Sequence, residues 1–187
     1  NLRQLFGYVP QDNFLFSTTI RNNIAFTNPD ISIDKVHRAA DLSYIHQDIT
    51  AFPAGYDTIV GERGVSLSGG QKQRISIARA LIENPDVLIL DDSLSAVDAE
   101  TETAILNNIE QNRRGKTNII TAHRMSAVRA ADLILVMEDG RIIERGNHDS
   151  LTAARGWYYE TFKAQSLRQS LTKELDETLE GGRADDN

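Results

Sequence analysis

Leu67-Ser68-Gly69-Gly70-Gln71, followed by Val87-Leu88-Ile89-Leu90-Asp91-Asp92, is the stretch that decides the fold. The first five residues open a helix that the spacing predicts from Ser68 to Leu81, with Ile75, Ala78, Leu81 and Ile82 on one face and Pro85 stopping it. Ser68 is a good helix cap, because its hydroxyl can accept from the N–H groups of the first turn. Gly69 and Gly70 let the backbone approach a ligand closely, and the helix dipole favours an anion there. The same residues also read as a glycine-containing turn before a helix. Val87 to Leu90 is short and continuously apolar, which predicts a strand at the centre of a parallel sheet covered on both faces. It ends in two carboxylates, at the edge where open α/β sheets place their ligands. Asp91 could hold Mg²⁺ there, through water, because that ion takes few carboxylates. Asp92 could orient or activate a water. A solvated turn with two ordinary acids is the other reading of the pair.

Strands and helices alternate outward from this stretch. Leu5 to Val9 reads as a strand running into the loop Pro10-Gln11-Asp12. Residues 13–60 lack a strand signal and are predicted helical or irregular. Hydroxyls open Ser17 to Ile24, and Ile33, Val36, Ala39 and Ala40 have helical spacing. Phe52 to Tyr56 is a turn. Glu100 to Asn112 is a predicted helix and Asn118 to Thr121 a strand. Leu133 to Met137 and Arg141 to Glu144 flank Glu138-Asp139-Gly140, a hairpin signature. The order indicates an α/β sheet with no internal repeat. Ser166 to Leu179 is predicted to be an amphipathic helix through Leu167, Leu171, Leu175 and Leu179. From Gly181-Gly182 onward disorder is expected.

The chain has 187 residues, enough for one domain with a real core, or one plus a small insert. Its 40% apolar and 25% charged residues exclude wholesale disorder. The net charge of −7 argues against a nucleic-acid binder held by a broad basic surface. Thr172 to Asn187 carries six acids and two bases, so −4 of the −7 lies in this tail. With no cysteine, a disulfide scaffold and a Cys-ligated zinc site are excluded. Leu133 to Met137, the longest apolar run that reads as a strand, falls far short of the ~20 residues of a spanning helix. The polar start Asn1-Leu2-Arg3-Gln4 predicts no signal peptide, and the absence of an initial Met suggests a chain cut from something longer.

Taken in order, these motifs resemble the nucleotide-binding domain of ABC transporters. Leu67 to Gln71 matches that family's signature motif letter for letter, and Val87 to Asp91 its Walker B strand. Ser95-Ala96-Val97-Asp98 matches the D-loop. His123, after the apolar strand, matches the switch histidine, and Gln11, after Tyr8-Val9-Pro10, the Q-loop. The match covers about residues 1–165. Thr58-Ile59-Val60-Gly61-Glu62-Arg63-Gly64 is similar to the X-loop of ABC exporters, which in that group lies near the coupling helices of the membrane domains. Phe14-Leu15-Phe16-Ser17, with Ile20 and Asn23-Ile24, resembles the exporter segment after the Q-loop. Gly140 to Gly146, with His148 and Leu151, resembles the segment after the switch.

The resemblance implies an α/β, P-loop NTPase (RecA-like) fold, here partial, with an inserted α-helical subdomain. Residues 13–84 would form that subdomain with the signature motif, and 85–150 the core strands with Walker B, D-loop and switch histidine. Residues 166–187 would be a C-terminal helix and acidic disordered tail. It also implies two ATPase domains paired head to tail around two ATP molecules, each held by the phosphate loop of one domain and the signature motif of the other. On that pattern Ser68, Gly69, Gly70 and Gln71 contact the γ-phosphate bound on the partner. Asp91 holds Mg²⁺, and Gln11 contacts Mg²⁺, senses the γ-phosphate and links the site to the membrane domain. His123 bonds the γ-phosphate and the attacking water, and Asp98 communicates across the dimer. The implied reaction is phosphoryl transfer to water, powering export of drugs or lipids from the cytoplasmic face of a bacterial cell membrane. The implied partners are the second ATPase domain and the transmembrane domain, with no nucleic acid. By itself His123 also reads as a structural histidine, and His37, His46 and His148 are assigned to structure or surface.

Two features depart from the family pattern. Asp92 stands where the family normally has a catalytic Glu. Its carboxylate falls back by about 1.5 Å, and misplacement on the order of 1 Å can cost about 10²-fold in rate. This resembles the degenerate-site chain of heterodimeric bacterial exporters, which keeps an intact signature and serves its partner's competent site. A slow but working Asp is the other reading. Second, no G-x-x-x-x-G-K-[ST] phosphate loop is present, and Gly64 to Lys72 is only a near miss. In the family that loop lies upstream, so this polypeptide alone is expected to be inactive and not to bind MgATP tightly. A soluble ABC ATPase of repair or translation and a non-catalytic regulatory module are the remaining readings. The X-loop counts against the first, and Asp92 keeps the second open.

Overall fold

The computed structural model describes residues 5–26, 28, 30–61 and 64–181, with side chains up to Thr172. The polar start at Asn1, Glu62-Arg63 in the loop before the signature, and the tail from Gly182 lie outside the described residues. The chain divides into two units, one ending at His123 and the other beginning at Arg124.

In the first unit, β1 (Phe6–Val9), β2 (Val87–Asp91) and β3 (Thr117–Thr121) form a parallel sheet in the order β1-β2-β3. Leu88 and Leu90 of β2 are buried against α4 (Gly69–Leu81) and α5 (Ala99–Asn112), where Ile77, Leu81, Ile105 and Ile109 join them. Each such side chain contributes roughly 1.5–3 kcal/mol on full burial, so this cluster is what seats both helices on the sheet. Gly7 marks the closest approach, because a Cβ there would lie 2.7 Å from the Ala80 carbonyl oxygen of α4 and 2.8 Å from Pro85.

The expectation that β2 is covered on both faces needs correcting. Tyr8, Ile89 and Ile119 share the other face by register, yet Ile89 is only half-buried, and Tyr8 and Ile119 are 55% and 47% exposed. The two crossovers step the same way across the sheet. Successive parallel connections of one hand put their helices on one face.

The helical part of this unit packs α1 (Ile20–Ile24), α2 (Ile33–Leu42), α3 (His46–Ala51) and α4 around Ile20, Ile24, Val36, Ile49, Ile75 and Ile82. Thr19 caps α1, accepting from Asn22 N–H at 3.1 Å, and Ser32 precedes α2. The predicted turn before Thr58 is a 3₁₀ turn, Gly55–Asp57. Helix α4 belongs to both cores. Ile75, Ala78 and Ile82 face the helical cluster, whereas Leu81 joins Ile77 under the sheet. The single apolar face predicted for this helix is therefore two faces, as a helix held between two packed layers requires.

The second unit contains α6 (Met125–Val128), the antiparallel pair β4 (Ile134–Glu138) and β5 (Arg141–Gly146), α7 (His148–Ala154) and α8 (Trp157–Gly181). Asp139 and Gly140 both have positive φ, the two-residue turn that matches strand twist in a tight hairpin. Met125, Ile134, Val136, Leu151 and Tyr158 form its core. The C-terminal helix starts at Trp157 rather than Ser166, because the Glu144 carboxylate accepts from the N–H groups of Trp157 and Tyr158 and satisfies its first turn. The stripe expected on this helix is exposed at Leu167 and Leu171, while the Leu175 and Leu179 side chains lie outside the description. Among the described residues no helix is long and apolar enough to cross a membrane.

Candidate functional site

β2 and β3 end side by side, with Asp91 in register with Thr121. The Thr121 hydroxyl donates to Asp91 Oδ1 at 2.7 Å, and the Tyr8 hydroxyl donates to Asp91 Oδ2 at 3.1 Å. That bond pushes the Tyr8 phenol above its ordinary value, helped by desolvation and by the Asp91 charge. Asp91 is thus held from both neighbouring strands. It is only half-buried, and each oxygen keeps a further lone pair. This donor set fits a Mg²⁺ ion held largely through water.

Asp92 sits in the left-handed region at φ 44°, which Asp tolerates better than most residues. Its N–H donates to the Thr121 hydroxyl at 3.0 Å, with the Thr121 carbonyl oxygen equally close. Its carbonyl oxygen accepts from the Ser95 hydroxyl at 2.9 Å. Gln11 Nε2 donates to Asp92 Oδ2 at 3.3 Å. Gln11, some way back in the chain, therefore meets the adjacent pair Asp91 and Asp92 at the carboxyl edge of the sheet. His123 lies two residues past the end of β3, exposed on that edge.

The second group is the amino end of α4. Ser68 and Gln71 form a reciprocal cap: Gln71 N–H donates to Ser68 Oγ at 3.2 Å, and Ser68 N–H to Gln71 Oε1 at 3.0 Å. Gln71 Nε2 also donates to Asp48 Oδ1 at 3.1 Å, and Arg74 grips the same carboxylate at 2.9 and 3.0 Å. Burial works to raise the Asp48 carboxyl, but hydrogen bonds from Arg74 and Gln71 and the Arg74 charge outweigh it and hold the group below the usual carboxylate value. The N–H groups of Gly69 and Gly70 have no hydrogen-bond partner among the described residues. Two free N–H groups at the positive end of a 13-residue helix suit a phosphate oxygen. Gly70 is pressed against the next loop, since a Cβ there would stand 2.9 Å from the Ala96 carbonyl oxygen.

Asp98 has a local job. Oδ1 accepts from Thr101 N–H at 2.9 Å and Oδ2 from the Thr101 hydroxyl at 2.8 Å, which caps α5 and lowers the Asp98 carboxyl below its usual value. Sequence reasoning missed Tyr8, Thr121, Asp48 and Arg74. Thr121 was within reach, because aligning the ends of two parallel strands sets it beside Asp91. Asp48 carried no local signal.

A profile described as ABC transporter matches residues 1–95. The chain is 56% identical over 166 residues to the Bacillus subtilis (strain 168) protein named "Probable multidrug resistance ABC transporter ATP-binding/permease protein YheI", covering 89% of this chain and 28% of that protein. It is 52% identical over 169 residues to "Multidrug resistance-like ATP-binding protein MdlA" of Escherichia coli (strain K12), covering 90% and 29%. Among solved structures, "Structure of a bacterial Atm1-family ABC exporter with ATP bound" superposes with a TM-score of 0.83 at 44% identity, over 88% of this chain and 29% of that one. The chain spans less than a third of the length of these relatives.

Proposed function

Because the chain belongs to the ABC transporter family and has the P-loop NTPase fold of its ATP-binding domain, we propose that it is part of the ATPase domain of a multidrug-type exporter and supplies the degenerate half of a heterodimer. The observation that carries the reading is Gln11, Asp91 and Asp92 gathered at one sheet edge, with Asp in the catalytic Glu position, in the same unit as an intact capped glycine turn.

Each residue then has a task. Asp91, steadied by Tyr8 and Thr121, accepts Mg²⁺ or its waters. That ion, when bound, neutralises charge on the β- and γ-phosphates. Gln11 orients the Asp92 carboxylate and responds to what lies before it. Asp92 takes a proton from the attacking water onto a carboxylate one methylene too short, which leaves turnover here weak. His123 donates to a phosphate oxygen. Across the dimer, Gly69 and Gly70 N–H and the Ser68 hydroxyl face the γ-phosphate of the partner's nucleotide, and electrostatic stabilisation of this kind is the largest lever on such a reaction. Asp98 fixes the start of α5 beside that interface.

The exposed rings after Gln11 support a membrane-domain partner. Phe16 stacks on Phe26 at 4.4 Å, Phe14 meets Phe16 edge-on at 5.1 Å, and the Arg79 guanidinium lies 5.5 and 5.6 Å from the Phe16 and Phe26 ring centres. An apolar group of this size on a surface marks an interaction site. The reading places this domain at the cytoplasmic face of a cell membrane.

Nucleotide trapping with vanadate, on the full-length protein paired with the protein encoded beside it, tests the proposal. One trapped nucleotide per pair, at the partner's phosphate loop, is expected. Two trapped nucleotides would show that the Asp92 site is fully competent.

A further inference from the structure

We propose that Gln73 is a positioning residue that ties the Asp92 turn to the glycine turn of α4, so that the two nucleotide sites this chain serves are mechanically linked. The inference rests on the reading above, in which Asp92 faces one nucleotide and Gly69-Gly70 face the other.

Gln73 is only 4% exposed, and a buried amide must find partners at both ends. Its Oε1 accepts from Ala96 N–H at 2.9 Å, and its Nε2 donates to the Ser95 hydroxyl at 3.4 Å. That hydroxyl donates onward to the Asp92 carbonyl oxygen at 2.9 Å, as a hydroxyl that accepts one bond and donates another can. The path from α4 to the left-handed residue at the sheet edge is therefore two consecutive hydrogen bonds, of 3.4 and 2.9 Å.

Packing follows the same route. Gly69 and Gly70 lie against Ala96, and Leu94 and Val97 are buried beside Ile77 and Leu81 of α4. Gln73 is three and four residues past Gly70 and Gly69, so all three share one side of the helix. The loop from Asp92 to Asp98 thus rides on the helix whose first turn is the signature motif. A displacement of that turn on meeting a phosphate moves Ser95 and Ala96, and through Ser95 the carbonyl that fixes Asp92.

The test is a double-substitution cycle on the full-length protein paired with the protein encoded beside it, the partner's own catalytic carboxylate replaced by its amide so that turnover reports the Asp92 site, measuring kcat and KM for ATP. Gln73→Leu keeps the volume and removes both bonds. It should lower kcat by about tenfold with KM within about twofold. It should also erase most of the gain produced by Asp92→Glu, a coupling of at least about threefold. Should Gln73→Leu fail to fold, Ser95→Ala cuts the path at its middle and should show the same non-additivity with Asp92→Glu. Additive effects, or a change in KM alone, would overturn the link. Amide exchange at Ala96 gives a readout independent of turnover: Gln73→Leu should speed it by about tenfold. An inactive wild-type pair would sink the functional reading and leave the exchange at Ala96 to decide the tie, where an unchanged rate rejects it.

Discussion

The amino end of α4 and the carboxyl edge of the sheet lie in one unit but are held very differently. At α4 the cap is reciprocal, Gln71 is braced by Asp48, Arg74 grips that carboxylate with two bonds, and Gly70 abuts Ala96. Among the described residues the N–H groups of Gly69 and Gly70 there are left without a partner. At the sheet edge Asp91 is well held, but its neighbour Asp92 has a positive φ, and the Gln11 contact to its carboxylate is long at 3.3 Å. On the proposed function the first region would receive a phosphate without rearranging. The second would hold Mg²⁺ through Asp91 and carries, in Asp92, a shorter residue where a water would be activated. The contrast is consistent with the proposal of a chain that lends its glycine turn to a partner while hydrolysing poorly itself.

Four substitutions break or sharpen that contrast. The largest effect is expected from Gly70→Ala, whose Cβ would meet the Ala96 backbone oxygen at 2.9 Å. Displacing the free N–H groups should lower ATPase of the full-length pair by about 10²-fold, and near-normal rates would mean that the turn is not used. Arg74→Ala, which strips Asp48 of its charged partner, should cost about 2 kcal/mol in chemical denaturation. A cost near zero would show the bracing of Gln71 to be cosmetic. Asp92→Glu should raise turnover at its own site, read in a pair whose partner has its catalytic carboxylate replaced by the amide, by at least about tenfold, and an unchanged rate would remove the argument from carboxylate reach.

The smallest effect concerns acid. A carboxyl depressed in the folded state, as Asp48 is, adds stability that is present above its unfolded value near ~4 and is lost as pH falls through the folded value. Asp48→Asn should therefore flatten the decline of melting temperature below about pH 4 and leave a uniform loss above it. An acid limb as steep as that of the wild type would place the sensitivity elsewhere.

What could be read from the sequence was local chemistry. Ser68 as cap, the paired glycines, the apolar run into Asp91, and Asp139-Gly140 as a hairpin turn each depend on a few adjacent residues. The family resemblance added Gln11 and His123, which adjacent residues do not single out. Tertiary pairing stayed hidden. Tyr8 and Thr121 reach Asp91 only through strand order and register, and Asp48 reaches Gln71 only because α3 packs near α4. Assigning Leu81 to the face of Ile75 failed for a related reason, since one helix serving two cores blurs the periodicity that reveals either.

The central claim, a degenerate chain that completes its partner's site, is tested most directly by ATPase activity of the full-length protein with and without the protein encoded beside it. Activity that appears only in the pair, and survives replacement of Asp92 by Asn, is the result expected. Robust hydrolysis by the full-length protein alone, abolished by Asp92→Asn, would contradict it.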